Sequence, residues 1–271
     1  MISNWTNLLA RRDLLRELTL SELRSQSQES RFGWVWWLVD PLIMMLIYWG
    51  VVVGILGRGQ SYTPYPVFVL CAVLPWKHLS SSLNASAKVL RAREGLIKSI
   101  AFPTMALPLT VVVAGFSNFL FGVVILVLAA LGFAMPLGTP LVQLPALLLA
   151  QIALVAGFAL IVACVGALAR DLPGFMTHVL RVGFYCSPTL YGLDLAQQRL
   201  GSISGLWGEW LPRLFVLNPL ALLITGYREA VFYGRFMSGD YWLLLTAESV
   251  LVLAAGYRIY QYFDRRVIKF L

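Results

Sequence analysis

Between Lys98 and Arg170 the chain carries no Asp, Glu, Lys or Arg; the uncharged run, Ser99 to Ala169, is 71 residues long. No water-soluble domain leaves so long a stretch without charge. A helix crossing a hydrocarbon core of about 30 Å needs about 20 mainly apolar residues. The run therefore holds two crossings, separated at Met135-Pro136-Leu137-Gly138-Thr139-Pro140. Only 13% of the 271 residues are charged, where soluble domains carry about 25%. That length is expected to make one membrane domain.

Six crossings are predicted: Trp34–Leu56, Pro64 to about Leu83, about Met105–Phe133, Leu144–Leu168, Phe175–Leu193 and Trp242–Tyr262. With the amino terminus inside, the cytoplasmic segments hold 13 Lys and Arg and the outer segments 5. Positive-inside bias then puts both termini in the cytoplasm. The net charge of +8 sits mostly at the ends and in one short loop, a topology signal rather than a nucleic-acid surface. Residues 1–33 mix Arg11, Arg12, Arg16, Arg24 and Arg31 with Asp13, Glu17, Glu22 and Glu29. That is not a secretory signal; it reads as an amphipathic helix at the membrane interface, or as a solvated lead-in. Leu8, Leu14, Leu15 and Leu18 spread over a wide arc, so the pattern is imperfect.

Two connections are unusual. In the basic loop Asn84–Thr104, Ala85, Val89, Leu90, Leu96, Ile97 and Ile100 share one helical side. Lys88, Arg91, Glu94 and Lys98 share the other, with Arg93 the exception. Such an element is either a lipid-surface helix or a docking helix for a soluble partner. Asp194–Tyr241 is long yet apolar, with Trp207 and Trp210 followed by Asn218-Pro219, a good helix start. Leu220 to Phe232 is too short to span before Arg228 and Glu229, so a re-entrant segment over about 206–233 is expected. Irregular backbone at membrane depth lines an aqueous path or is buried in protein; a pore entrance is the sharper inference.

Catalytic signatures are missing. There is no Walker phosphate loop, no metal-ligand spacing and no paired outer acids, so nucleotide-driven work needs a second chain. Cys71, Cys164 and Cys186 fall in apolar runs and read as packing residues. Asp40 and Arg181 each lie about 9 Å from the cytoplasmic end of their helices and are a candidate intramembrane pair, while Glu248 is too near the outer end to join them. Aromatics crowd the first and fifth crossings: Trp34, Trp36, Trp37, Tyr48 and Trp49, then Phe184, Tyr185 and Tyr191. Trp and Tyr mark interfaces, but mid-helix rings also offer sugars a sliding face. Trp34, Trp37, Tyr48, Phe184, Tyr185 and Tyr191 are the candidate channel lining.

The ordered motifs Phe32-Gly33-Trp34, Asp40-Pro41-Leu42, Leu74-Pro75-Trp76, Phe102-Pro103, Arg170-Asp171, Ser187-Pro188, Leu217-Asn218-Pro219 and Tyr227-Arg228 carry a resemblance. The chain resembles permease subunits of ABC-2 type exporters, in the branch exporting O-antigen, capsular polysaccharide and teichoic acid, from about Arg31 to the last crossing. It departs at Asp40, where such permeases often have Asn or Glu, and at Gly192, where a proline is common. The resemblance implies an all-α polytopic fold in a bacterial inner membrane, with residues 34–271 as the transporter domain. It implies a homodimer with two copies of a cytoplasmic ATPase that binds ATP and magnesium, no cofactor on this chain, and a polyprenyl-linked polysaccharide as cargo. It also implies a coupling helix within about 85–100 (Lys88, Arg91, Arg93, Glu94, Lys98) and a re-entrant part bearing Trp207, Trp210, Asn218, Pro219 and Arg228. A permease for a small lipid or drug, or a membrane enzyme acting on a lipid-linked sugar, are the alternatives.

Overall fold

The long uncharged run forms two helices joined where the prolines and glycine stand, and these two organise the rest. The computed structural model describes residues 12–28, 35–57, 59–99, 103–203 and 205–270. Among them every regular element is helical. In chain order these are α1 (Arg12–Gln28), α2 (Val35–Trp49, continued by a π-helical turn, Gly50–Ile55) and α3 (Tyr65–Ala92). Then come α4 (Glu94–Ser99), α5 (Ala106–Gly132), α6 (Leu144–Leu168, led by a 3-10 turn, Thr139–Gln143) and α7 (Leu172–Cys186). The series closes with α8 (Leu193–Gly201), α9 (Leu206–Val216), α10 (Pro219–Tyr227, continued by a π-helical turn, Arg228–Phe232) and α11 (Gly239–Phe270).

By length and composition three helices can cross a membrane: α5, α6 with its leading turn, and α11 over Gly239–Phe263. The pair α9–α10, bent by 61°, makes a fourth if taken as one broken span. The other expected crossings fall short for identifiable reasons. The apolar part of α2 is only Val39–Ile55, and α3 is long but carries Lys77, Lys88 and Arg91. Helix α7 has 15 residues, about 22 Å at 1.5 Å per residue. It ends at Cys186, not at the expected Leu193, because Pro188 has no amide to continue the ladder.

The expected loop at Asn84 is absent. No breaker lies between Lys77 and Ala92, so α3 runs on to Ala92 and the short α4 follows after Arg93. The expected sidedness is seen in part: Val89, Leu90 and Ile97 are buried and Lys88 and Lys98 exposed, while Ala85, Leu96, Arg91 and Glu94 are all half-buried. Ile100, Leu8 and Trp34 lie outside the described residues, and Trp37 is described only by its place in α2. Helix α1 lays Leu15 and Leu18 against the cluster around Leu90, Leu160 and Tyr260, and its Glu22 meets Arg93 at 3.7 Å. Cys71 and Cys164 are buried as expected, whereas Cys186 is exposed.

Helix α6 is the central strut, packed on both α3 and α11. Its closeness to them depends on missing side chains. A β-carbon on Gly157 would stand 2.5 Å from the Val252 carbonyl oxygen of α11, and one on Gly166 would meet the Ala87 carbonyl of α3. Small residues let helix backbones approach where apolar burial offers no net drive in lipid. Gly157→Ala is therefore expected to push α6 and α11 apart and cost about 1–3 kcal/mol, read as a lowered denaturation midpoint in detergent. Gly132→Ala, whose added carbon meets nothing within 4 Å, should stay within about 0.5 kcal/mol.

Candidate transport groove and its arginine clamp

Three helices present matched rows along one groove. Asp40, Met44 and Tyr48 of α2 follow an i, i+4 ridge, as do Trp76, Ser80 and Asn84 of α3 and Thr177, Arg181 and Tyr185 of α7. Residues four apart stack on one helix face, so each helix contributes one continuous strip. The cavity between them holds about 450 Å³. One half carries charge, with Asp40, Lys77 and Arg181, and the other aromatic rings. Phe184 stacks on Tyr48 at 5.7 Å between centroids and meets Trp76 edge-on at 5.5 Å. Tyr185, half exposed, stands edge-on to Phe184.

The expected lining residues Tyr48, Phe184 and Tyr185 are thus brought together, and sequence reasoning missed Trp76. Tyr191 lies elsewhere: it lines an apolar cavity of about 430 Å³ with Leu56, Leu190 and Phe215, and its hydroxyl donates to the Tyr185 carbonyl. Asp40 takes a different partner from the one expected. Its carboxylate pairs with Lys77 of α3 at 2.6 Å, while Arg181 lines the same groove. Equal depth along two helices leaves the lateral neighbour undetermined, and α3 lies beside α2. Arg91 is also committed, its guanidinium donating at 2.9 Å to the Ala167 carbonyl near the end of α6, where helical carbonyls lack partners. Lys98 pairs with Glu94 across one turn.

Above the groove the chain leaves α7 as an irregular segment, Ser187 to Gly192, in which the carbonyls of Pro188, Thr189 and Tyr191 have no backbone donors among the described residues. Arg228 supplies them. It is 2% exposed, and its Nε donates to the Phe68 carbonyl at 3.3 Å. Nη1 donates to the carbonyls of Pro188 and Tyr191 at 2.6 and 2.8 Å, and Nη2 to that of Thr189 at 2.8 Å. The guanidinium plane also lies 3.6 Å from the Phe68 ring centre. Irregular backbone away from water must be satisfied by protein, and a planar five-donor fork suits several carbonyls at once. No acid pairs with Arg228 among the described residues.

Local chemistry aims this side chain. Asn218 caps α10, accepting from the Leu220 amide at 3.1 Å, and its amide donates to the Ser187 hydroxyl at 3.0 Å. The helix then widens into the π turn that begins at Arg228, with the Tyr233 amide donating to the Arg228 carbonyl. Such turns recur at functional sites. The Tyr65 hydroxyl donates to the Leu190 carbonyl at 2.9 Å, and the Gly192 amide to the Tyr62 hydroxyl at 3.2 Å. Helix α10 is buried while α9 has no buried residue; Trp207 and Trp210 are 69% and 54% exposed. The signal for Arg228 was present in the sequence: a cation directly after an apolar helix with no acid aligned to it.

Beyond the clamp lies a polar chamber of about 670 Å³, bounded by Tyr62, Asp194, Gln197, Thr225, Glu229, Tyr233 and Tyr241 among others. Burial pushes the Tyr62 phenol up. Burial and then the Asp194 carboxylate push that of Tyr233 up to about 12, so both hydroxyls stay protonated donors at neutral pH.

Apolar spanning helices around a charged and aromatic groove define a multi-pass, all-helical membrane protein. No family model matches the chain. It is 26% identical over 250 residues to the O-antigen export system permease protein RfbA of Myxococcus xanthus, covering 92% of each chain. It is 25% identical over 249 residues to the protein of that name from Klebsiella pneumoniae, covering 92% of this chain and 91% of that one. A 79-residue stretch, 29% of this chain and 31% of the other, is 32% identical to the polysialic acid transport protein KpsM of Escherichia coli. The chain is therefore similar, over nearly its whole length, to export permeases for O-antigen.

Replacing Arg228 strands several buried carbonyls, and bonds to a charged donor are worth about 1.5–3 kcal/mol each. Arg228→Met should lose about 3 kcal/mol or more of stability in detergent, and Arg228→Lys should not restore it, since an ammonium cannot span the same carbonyls. In the groove, a double-mutant cycle of Asp40→Asn with Lys77→Gln should give a coupling of up to about 1 kcal/mol. The cycle of Asp40→Asn with Arg181→Gln should be additive within about 0.5 kcal/mol.

Proposed function

We propose that this chain is the transmembrane subunit of an ABC transporter that exports a lipid-linked polysaccharide of O-antigen, capsule or teichoic acid type, powered by ATP hydrolysis on a separate chain. The observation that carries the reading is the full-length likeness to O-antigen export permeases. The groove supports it: aromatic rings offer sugar units a face without fixed hydrogen bonds, and a small-lipid permease needs only aliphatic walls.

In this reading two copies pair with two ATPase chains in a bacterial inner membrane, both termini cytoplasmic. Helices α2, α3 and α7 complete six crossings with α5, α6 and α11, their charged faces turned to the path rather than to lipid. The bent α9–α10 pair is the re-entrant outer part and α1 the interface helix. The end of α3 with α4 is the coupling element, and it offers Lys88 and Lys98 outward. Arg93 ties it to α1 through Glu22.

The test is reconstitution. The purified subunit is expected to hydrolyse no ATP and to acquire turnover only with its cognate ATPase, the pair restoring surface glycan to a strain lacking both. Nucleotide turnover by this chain alone, free of contaminants, rejects the assignment. Cysteines placed at Lys88 or Lys98 should cross-link to the ATPase, and Glu94→Ala should uncouple hydrolysis from export without loss of the folded subunit. A scan of the whole element that finds no cross-link rejects its role as the coupling helix.

A further inference from the structure

The chamber beyond Arg228 differs in chemistry from the groove below it. Both of its guanidinium groups are already committed. Arg228 is held by four carbonyls, and Arg235 is paired with Glu229 and lies 4.7 Å from the Tyr233 ring centre. Asp194 is in no ion pair among the described residues, and with Glu229 it balances the two arginines of the lining, so the chamber has no net positive charge. A phosphate or an acidic sugar would lose hydration there without a net charge to compensate it. Hydroxyl donors would find an acceptor in Asp194, and both donor and acceptor in the phenols of Tyr62 and Tyr241. The tyrosine rings add apolar surface for pyranose C–H groups, although Tyr62 has one face stacked on Phe68 and Tyr233 one face under Arg235. The volume of about 670 Å³ lies within the range of ligand pockets, about 300–1,000 Å³.

Gly192 keeps this arrangement in place. A β-carbon there would stand 2.7 Å from the Tyr62 hydroxyl and would collide with the Asp194 carboxylate. The absence of a side chain at position 192 is what lets both polar groups lie together over the backbone at the chamber wall.

We infer that the chamber walled by Tyr62, Asp194, Thr225, Glu229, Tyr233 and Tyr241 binds one or two uncharged sugar residues within a single subunit. The inference rests on the polysaccharide-export reading for its place on the outer side, where it lies next to the outlet of the groove and holds the glycan as it leaves. Its preference for neutral over acidic sugars follows from a lining whose charges cancel, which leaves an anion's lost hydration uncompensated, and is independent of that reading.

The experiment uses the full chain co-purified with its ATPase in lipid nanodiscs. The probes are neutral disaccharides of glucose, galactose, mannose and N-acetylglucosamine, with sialyllactose as the acidic comparison, followed by saturation-transfer NMR in the millimolar range. At least one neutral disaccharide should bind saturably and more tightly than sialyllactose. Asp194→Asn, Tyr241→Ala and Gly192→Ala should each weaken that binding about tenfold, the loss of one or two hydrogen bonds, while Gly132→Ala should leave it unchanged. Saturable binding by none of the neutral probes overturns the inference. So does tighter binding of sialyllactose, or undiminished binding by all three chamber variants. Export in cells separates the two levels. Wild-type export without sugar binding removes the chamber alone; sugar binding without export removes the function and leaves the chamber standing.

Discussion

Arg228 joins three parts of the chain at one point. Its guanidinium holds the carbonyls of Pro188, Thr189 and Tyr191, accepts the Phe68 ring against its face and reaches the Phe68 carbonyl. Burying a charge is costly unless it is fully hydrogen-bonded, and here the compensation comes from backbone rather than from an acid. The exchange is mutual. The turn after α7 has carbonyls that helix geometry cannot satisfy, and the cation has a charge that apolar surroundings cannot solvate. Groove, clamp and chamber are consecutive because this turn is fixed: Phe184 and Tyr185 lie just before it, Gly192 and Asp194 just after.

Packing around α6 provides the frame against which that turn is set. Gly157 and Gly166 bring α11 and α3 to backbone contact, so the strut is rigid where the groove helices α2 and α7 are not similarly gripped. A buried polar pair adds register: Gln151 of α6 donates to the Pro75 carbonyl at 3.1 Å and lies 3.1 Å from the His78 ring of α3. In lipid, polar contacts between helices are directional in a way that apolar contacts are not. The aromatic and charged strips of α2, α3 and α7 consequently meet along one groove, with Trp76 and Phe184 packed into the core.

Charge distribution separates the groove from the chamber beyond the clamp. The groove carries Lys77 and Arg181 against Asp40, whereas in the chamber Arg228 and Arg235 are matched by Asp194 and Glu229.

The composition alone determined that the chain lives in a bilayer and is helical, because 71 uncharged residues have no other solvent and backbone in hydrocarbon must bond within its own segment. The sequence also marked the breaks at Pro136–Pro140 and Asn218-Pro219, since proline and capping chemistry act locally, but the expected fifth crossing ran on through Ser187-Pro188 to Leu193, where the helix in fact ends at Cys186. The sequence showed, too, that rings crowd the helices bearing Tyr48 and Phe184–Tyr185, because spacing along a helix is a local property. Which helices are neighbours is not local. Asp40 found Lys77 rather than Arg181, Trp76 joined the aromatic wall, Tyr191 left it, and Arg228 proved to be the clamp only because α10 folds back beneath the turn after α7. Depth along a helix follows from counting residues; lateral contact follows from how glycines and side chains let helices pack, and that was decided by the tertiary structure.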